Sequence, residues 1–148
     1  QVASAPALDS ELREQRLKFA LANLLGGVAP GIILPTGLDA DGVSRDPEVV
    51  AAYKADPLVH DKGSTGLAKQ TFAAMDALMA QTSFPVPLLI IHGTSDRLTV
   101  PAASKTFVEN VTGDVTLIEY DGMYHEPHNE PEQQEVFEDV LAWMEPRL

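Results

Sequence analysis

The stretch Val86-Pro87-Leu88-Leu89-Ile90-Ile91-His92-Gly93-Thr94-Ser95-Asp96 decides the fold. Its first part is a short, unbroken apolar run, the pattern of a strand buried on both faces of a parallel sheet. His92 to Asp96 then reads as a loop. Downstream, a helix is expected from Pro101, presenting Phe107, Val108 and Val111 and ending at Gly113. Val115 to Tyr120 is expected to form a second strand. Together these make a β-α-β unit, whose crossover is nearly always right-handed with parallel strands. A polar loop from Asp121 to Glu130 follows. Pro131 then opens a last helix, with Val136, Phe137, Val140, Leu141 and Met144 expected to face inward.

Upstream, Ser10 is a helix N-cap candidate, followed by Leu12, Phe19, Ala20, Leu24 and Leu25 at helical spacing. Gly26-Gly27 is expected to stop that helix, because glycine takes the left-handed cap conformation. Val28 to Leu38 is apolar but too broken by Pro and Gly for a long helix. Asp46-Pro47 caps and opens a short helix through Val49, Val50 and Tyr53. A further helix is expected over Ser64 to Ala80, with Ala68, Phe72, Met75 and Met79 on one face.

The strands are few. Two are clear, and Gln1 to Ser4 is a third candidate running into a loop. A parallel sheet needs more partners than that, and Leu88 to Ile91 would be left as an apolar open edge. The expectation is that further strands come from a segment preceding Gln1, or from a second copy of the chain.

Composition narrows the function. The 148 residues hold 22 acidic and 10 basic side chains, a net charge of -12, which would repel nucleic-acid phosphates. There is no cysteine, so disulfides, thiolate catalysis and cysteine-ligated metals are excluded. An apolar content of 45% is that of a globular protein. No apolar stretch is long enough to span a bilayer.

Reactive groups of open α/β sheets collect at the carboxyl ends of strands. Asp96 lies just past the end of one expected strand and His125 just past the end of the next. A carboxylate bonded to a histidine fixes its tautomer and stabilises the imidazolium that forms when it takes a proton. Asp96 and His125 are therefore the catalytic candidates, in the acid-then-base order of α/β-hydrolase triads. His125-Glu126-Pro127-His128 lacks the i, i+4 spacing of a helical zinc motif, so no metal is expected there, and an acid-base pair serving a serine nucleophile needs no organic cofactor. His92 is expected to make a structural hydrogen bond and His60 to face solvent. Ser64 has Gly66 after it, but Lys62 stands where a G-x-S-x-G elbow needs its first glycine. Ser64 reads as a helix N-cap and Ser95 as a turn residue.

Pro87 to Asp96, Val100-Pro101 and Ser104 resemble the acid strand, loop and following helix of the monoacylglycerol lipase and lysophospholipase group of serine α/β-hydrolases. Asp121-Gly122-Met123-Tyr124-His125-Glu126 resembles that group's histidine loop, and Asn129-Glu130-Pro131 its exit. Pro35-Thr36-Gly37-Leu38, Ser44-Arg45-Asp46-Pro47 and Asp56 to His60 resemble its cap. The resemblance implies the C-terminal portion of an α/β-hydrolase fold: a mostly parallel sheet flanked by helices, with a helical cap. Residues 1–9 would end a core strand and lead into the cap, 10–60 would form the cap, and 61–148 the C-terminal core. It implies a lipid ester substrate, with Ile32, Ile33 and Leu34 as substrate-binding candidates. The nucleophile would lie in a segment before Gln1. A cytoplasmic or peripherally membrane-associated protein is expected, touching a membrane surface transiently through the cap. The other reading is a truncated, non-catalytic chain that dimerises or binds a lipid without turnover.

Overall fold

The structure is a computed structural model that describes residues 1–13 and 16–148. Its main sheet has three parallel strands: β1 (Val2–Ser4), β4 (Leu88–Gly93) and β5 (Val115–Tyr120), in the order β1-β4-β5. The apolar run is thus the central strand. Leu89 and Ile90 are completely buried, and neighbouring residues of β4 serve opposite faces. Leu88 and Ile90 pack with Leu8, Ala103 and Phe107 on one side. Leu89 and Ile91 pack with Tyr120, Met123 and Val136 on the other. Burial of this kind stabilises by about 1.5–3 kcal/mol per large aliphatic side chain.

This placement corrects the expectation of an open edge along Leu88 to Ile91. Val2, Ala3 and Ser4 pair with Leu89, Ile90 and Ile91, so β4 has a neighbour on both sides. The open edges fall instead on β1 and β5.

The two flanking helices are α4 (Pro101–Asn110) and α5 (Gln133–Met144), one on each face. A second correction concerns α5. Val136 is fully buried and Val140 and Trp143 pack inward, but Phe137 and Leu141 are 44% and 59% exposed. The apolar stripe of α5 is wider than the strip that this sheet covers.

A second group of elements stands beside the sheet. Helix α1 (Arg16–Val28) packs on α3 (Thr65–Met79), and β2 (Ile33–Pro35) pairs antiparallel with β3 (Lys62–Ser64). The short α2 (Pro47–Ala55) begins as expected, with Asp46 capping the Glu48 amide and Pro47 in the first turn. Ser10 caps the Leu12 amide, but only a 3-10 turn follows at Glu11–Arg13, and α1 begins at Arg16. Gly26-Gly27 does not stop α1, which continues to Val28. The glycine serves packing: a Cβ on Gly26 would stand 2.5 Å from the Thr65 carbonyl oxygen and 2.6 Å from Lys69 Cβ. A helical glycine costs about 1 kcal/mol relative to alanine, here offset by the close approach of α1 and α3. Phe19 and Phe72 meet edge to face across that contact at 4.8 Å. Leu17, Leu21, Leu24 and Val28 form an exposed stripe on α1.

Among the described residues, no helix is long and apolar enough to cross a membrane.

Candidate active site

Gly93, the last residue of β4, lets the loop after β5 reach the loop after β4. A Cβ there would lie 2.3 Å from the carbonyl oxygens of both Met123 and Tyr124. The two loops are stitched together directly. Ser95 donates its amide to the Met123 carbonyl at 3.0 Å, and Thr94 donates its own to Tyr120 at 2.9 Å. The Thr94 hydroxyl bonds Asp121 and accepts from the Gly122 amide. Gly122 turns the chain with a φ of 73°, a conformation that favours glycine.

This stitching brings the two catalytic candidates together. His125 Nδ1 lies 2.9 Å from Asp96 Oδ2. The Asp96 carboxylate is wholly buried, whereas the His125 side chain is 26% exposed. With Nδ1 turned to the carboxylate, Nε2 is the nitrogen left to exchange a proton with a substrate-side group. Asp96 Oδ1 accepts from the amides of Leu98 at 2.7 Å and Thr99 at 3.1 Å. Oδ2 also accepts from Thr99 Oγ1 at 2.7 Å and His92 Nε2 at 3.0 Å. Burial alone would push the Asp96 pKa up. The hydrogen bonds from His125, His92, Leu98 and Thr99 outweigh it, and the carboxyl ionises well below its ordinary range.

The histidine loop is held from the other side by residues 42–45. His125 and Glu126 donate their amides to the carbonyls of Gly42 and Val43, at 3.3 and 2.8 Å. Ser44 Oγ donates to the Asn129 carbonyl at 2.9 Å. Glu130, completely buried, receives Arg45 Nε at 2.8 Å, the Arg45 amide, and the Tyr124 amide at 2.7 Å. Arg45 also bonds Glu132. Arg97 lies over the Tyr124 ring at 4.7 Å and donates to the Asp41 carbonyl at 2.7 Å. Glu130→Ala removes the buried carboxylate that holds the Arg45 guanidinium and backbone amide, and leaves the Tyr124 amide without its acceptor. Hydrogen bonds to a charged group are worth about 1.5–3 kcal/mol, and Arg45 keeps Glu132 as a partner. A shift of the urea midpoint to lower concentration is expected, and an unmoved midpoint would show that the pair is not a tie.

Residues outside the pair are placed as follows. Ser64 caps α3 through the Leu67 amide at 3.0 Å, and Ser95 lies in the turn after β4. His60 is exposed. Ile32, Ile33 and Leu34 are 42%, 60% and 46% exposed, on and beside β2, in a different sheet from the one that carries Asp96 and His125. A groove of about 270 Å³, lined by Leu38, Tyr53, His60 and Leu98 among others, runs beside the acid loop.

A family model described as serine aminopeptidase, S33, matches residues 1–132. The chain belongs to this serine aminopeptidase S33 family. As a member, it is 44% identical over 146 residues to a monoacylglycerol lipase of Mycolicibacterium smegmatis, covering 97% of this chain and 52% of the relative. The crystal structure of Paleococcus ferrophilus monoacylglycerol lipase superposes with a TM-score of 0.89 at 36% identity, covering 97% of this chain and 57% of that one. A monoglyceride lipase variant from Saccharomyces cerevisiae superposes with a TM-score of 0.83 at 23% identity, covering 99% of this chain and 55% of that one, which bears on the fold alone. These neighbours share the α/β-hydrolase fold. The chain spans about half the length of these relatives.

Sequence reasoning missed the supports of the pair. His92 was expected only to make a structural bond, yet it reaches the acid itself. Arg45 and Glu130 are separated by 85 positions, and nothing local marks them as partners. The signal that could have found Glu130 is a carboxylate next to Pro131 in a loop that must fold tightly.

Proposed function

We propose that this chain supplies the acid and base of a serine hydrolase acting on carboxylic esters, with monoacylglycerols or lysophospholipid-like lipids as the favoured substrates. The observation that carries this reading is the 2.9 Å bond from His125 Nδ1 to a buried, ionised Asp96. In the reaction, His125 Nε2 takes the proton of the attacking serine and returns it to the leaving alcohol. Asp96 holds the ring and stabilises the imidazolium, and water then releases the acyl group by the same route. The substrate preference is supported by the lipase relatives.

The nucleophile is assigned to a segment preceding Gln1. The hydroxyls of Ser10, Ser44, Ser64 and Ser104 are engaged in caps and loop bonds. Residues 1–9 act as the lead-in from the core, 10–60 as cap and 61–148 as the C-terminal core. The exposed Ile32, Ile33 and Leu34, near the α1 stripe in sequence, are proposed to contact the acyl chain or a lipid surface.

A second reading, a non-catalytic chain that dimerises or binds lipid, is favoured by the exposed Phe137 and Leu141 and the outer edge of β1. One experiment separates the two. The full-length protein is treated with a fluorophosphonate probe and digested, and hydrolysis of a chromogenic ester is followed in parallel. Labelling of a serine outside these residues, with activity abolished in His125→Ala, is expected. A labelled serine within residues 1–148, or full activity in His125→Ala, would overturn the assignment. No labelling and no turnover would favour the second reading.

A further inference from the structure

The acid of the pair is shared between two histidines. Asp96 Oδ2 faces His125 Nδ1 at 2.9 Å and His92 Nε2 at 3.0 Å. His92 is completely buried on β4, and its other nitrogen, Nδ1, lies 2.8 Å from the equally buried Ser104 Oγ on α4. The tautomer follows from the partners. A carboxylate offers only acceptors, so His92 Nε2 must carry the hydrogen. In the neutral ring, Nδ1 then accepts from the Ser104 hydroxyl, which holds that tautomer in place.

We propose that His92 is a positioning residue for the acid, and that with Ser104 it sets how strongly Asp96 draws a proton onto His125. The inference rests on the reading of Asp96 and His125 as acid and base. Each N–H or O–H aimed at Oδ2 takes up part of the negative charge that would otherwise act on His125 alone. Thr99 Oγ1 contributes to the same oxygen from the acid loop. The strand thus supplies a fixed counterweight on the carboxylate side of the pair. It also fixes the carboxylate from below, while the Leu98 and Thr99 amides fix it from the side.

The other charged groups nearby have partners of their own. Arg97 pairs with Asp39 and Glu130 with Arg45. Glu126 accepts from Asn129, and Asp121 from Thr94. His128 Nδ1 lies 3.4 Å from Ser4 Oγ.

The test is the pH profile of kcat/KM for a chromogenic ester, measured in the full-length protein. His92→Phe removes the donor and keeps a ring in the space. Asp96 then concentrates its charge on His125, whose protonation is favoured. The acid limb of the profile is expected to move to higher pH by about one unit, so that kcat/KM on the acid side of the limb falls about tenfold. His92→Gln keeps an N–H and should restore most of both. Ser104→Ala removes the hydrogen bond to Nδ1 that strengthens the Nε2 N–H as a donor, and should move the limb in the same direction by less. If His92→Phe does not fold, Ser104→Ala decides. Acid limbs of the folded variants that coincide with the parent's would overturn the inference. His125→Ala run alongside keeps the failures apart: full activity there sinks the acid-base reading itself, whereas its inactivity with unmoved limbs elsewhere sinks only the role of His92.

Discussion

Asp96→Asn is expected to lower kcat by roughly 10⁴-fold, the loss seen when a triad carboxylate becomes an amide. The hydrogen-bond inventory explains why the amide cannot stand in. Two backbone amides, of Leu98 and Thr99, point at Oδ1 and would hold the amide oxygen of the asparagine there. Its NH2 group must then occupy the place of Oδ2, where His125, His92 and Thr99 all donate. His125 can satisfy that NH2 only by presenting a lone pair at Nδ1, which puts its hydrogen on Nε2. The ring is then in the tautomer that cannot take a proton from a nucleophile. Turnover of a chromogenic ester by the full-length protein checks this, and retention of parental kcat would remove Asp96 from the mechanism. A second readout follows from linkage. Asp96 ionises below its ordinary value of 3.8 in the fold. Its contribution to stability is therefore complete above that value and is lost as pH falls below it. Asp96→Asn should lack this acid-side loss, so its unfolding free energy should fall less steeply than the parent's below pH 3.8.

Gly93→Ala is expected to damage both stability and activity. The added methyl would meet Met123 and Tyr124 carbonyl oxygens at 2.3 Å and the Met123 carbonyl carbon at 2.5 Å. These are backbone atoms, so no side-chain rotation relieves the overlap. The histidine loop must retreat by about 1 Å to reach ordinary contact distance. That retreat strains the Ser95 amide bond to Met123 and draws His125 away from Asp96. A misplacement of this size costs on the order of 10²-fold in rate, and overpacking costs about 1–3 kcal/mol. Chemical denaturation and ester turnover measure the two losses. If both are absent, the loop does not rest on the end of β4.

The parts of this architecture that were legible are those written locally. The β4 run declares itself because a strand covered on both faces needs apolar residues at every position. The pair was legible because chain order and strand ends are both one-dimensional. Gly26 misled because a glycine that ends a helix and a glycine that admits a neighbouring helix look the same in one sequence. Only the position of Thr65 and Lys69 separates them. Phe137 and Leu141 misled because helical spacing marks an apolar stripe without saying how much of it a sheet will cover. The strand at Ile33–Pro35 was hidden by its proline, which suits a short ribbon that lacks a partner on its other side. Arg45, Glu130 and the reach of His92 depend on contacts that the crossover and loops create, and no local pattern encodes them.

The bonds from residues 42–45 to the histidine loop give that loop a second anchor besides the sheet. Gly42, Val43, Ser44 and Arg45 each carry a bond to it. Strands β2 and β3 are joined to one another in turn, further tied by the Thr36 amide to the Asp61 carbonyl at 2.6 Å. Two stretches of chain run between that segment and this ribbon. On one side the connection is residues 37–39, where Gly37 has a φ of 73° and open space around it. On the other it is residues 56–60, which follow α2. The placement of His125 against Asp96 therefore rests on the sheet and on residues 42–45 together, not on the histidine loop alone.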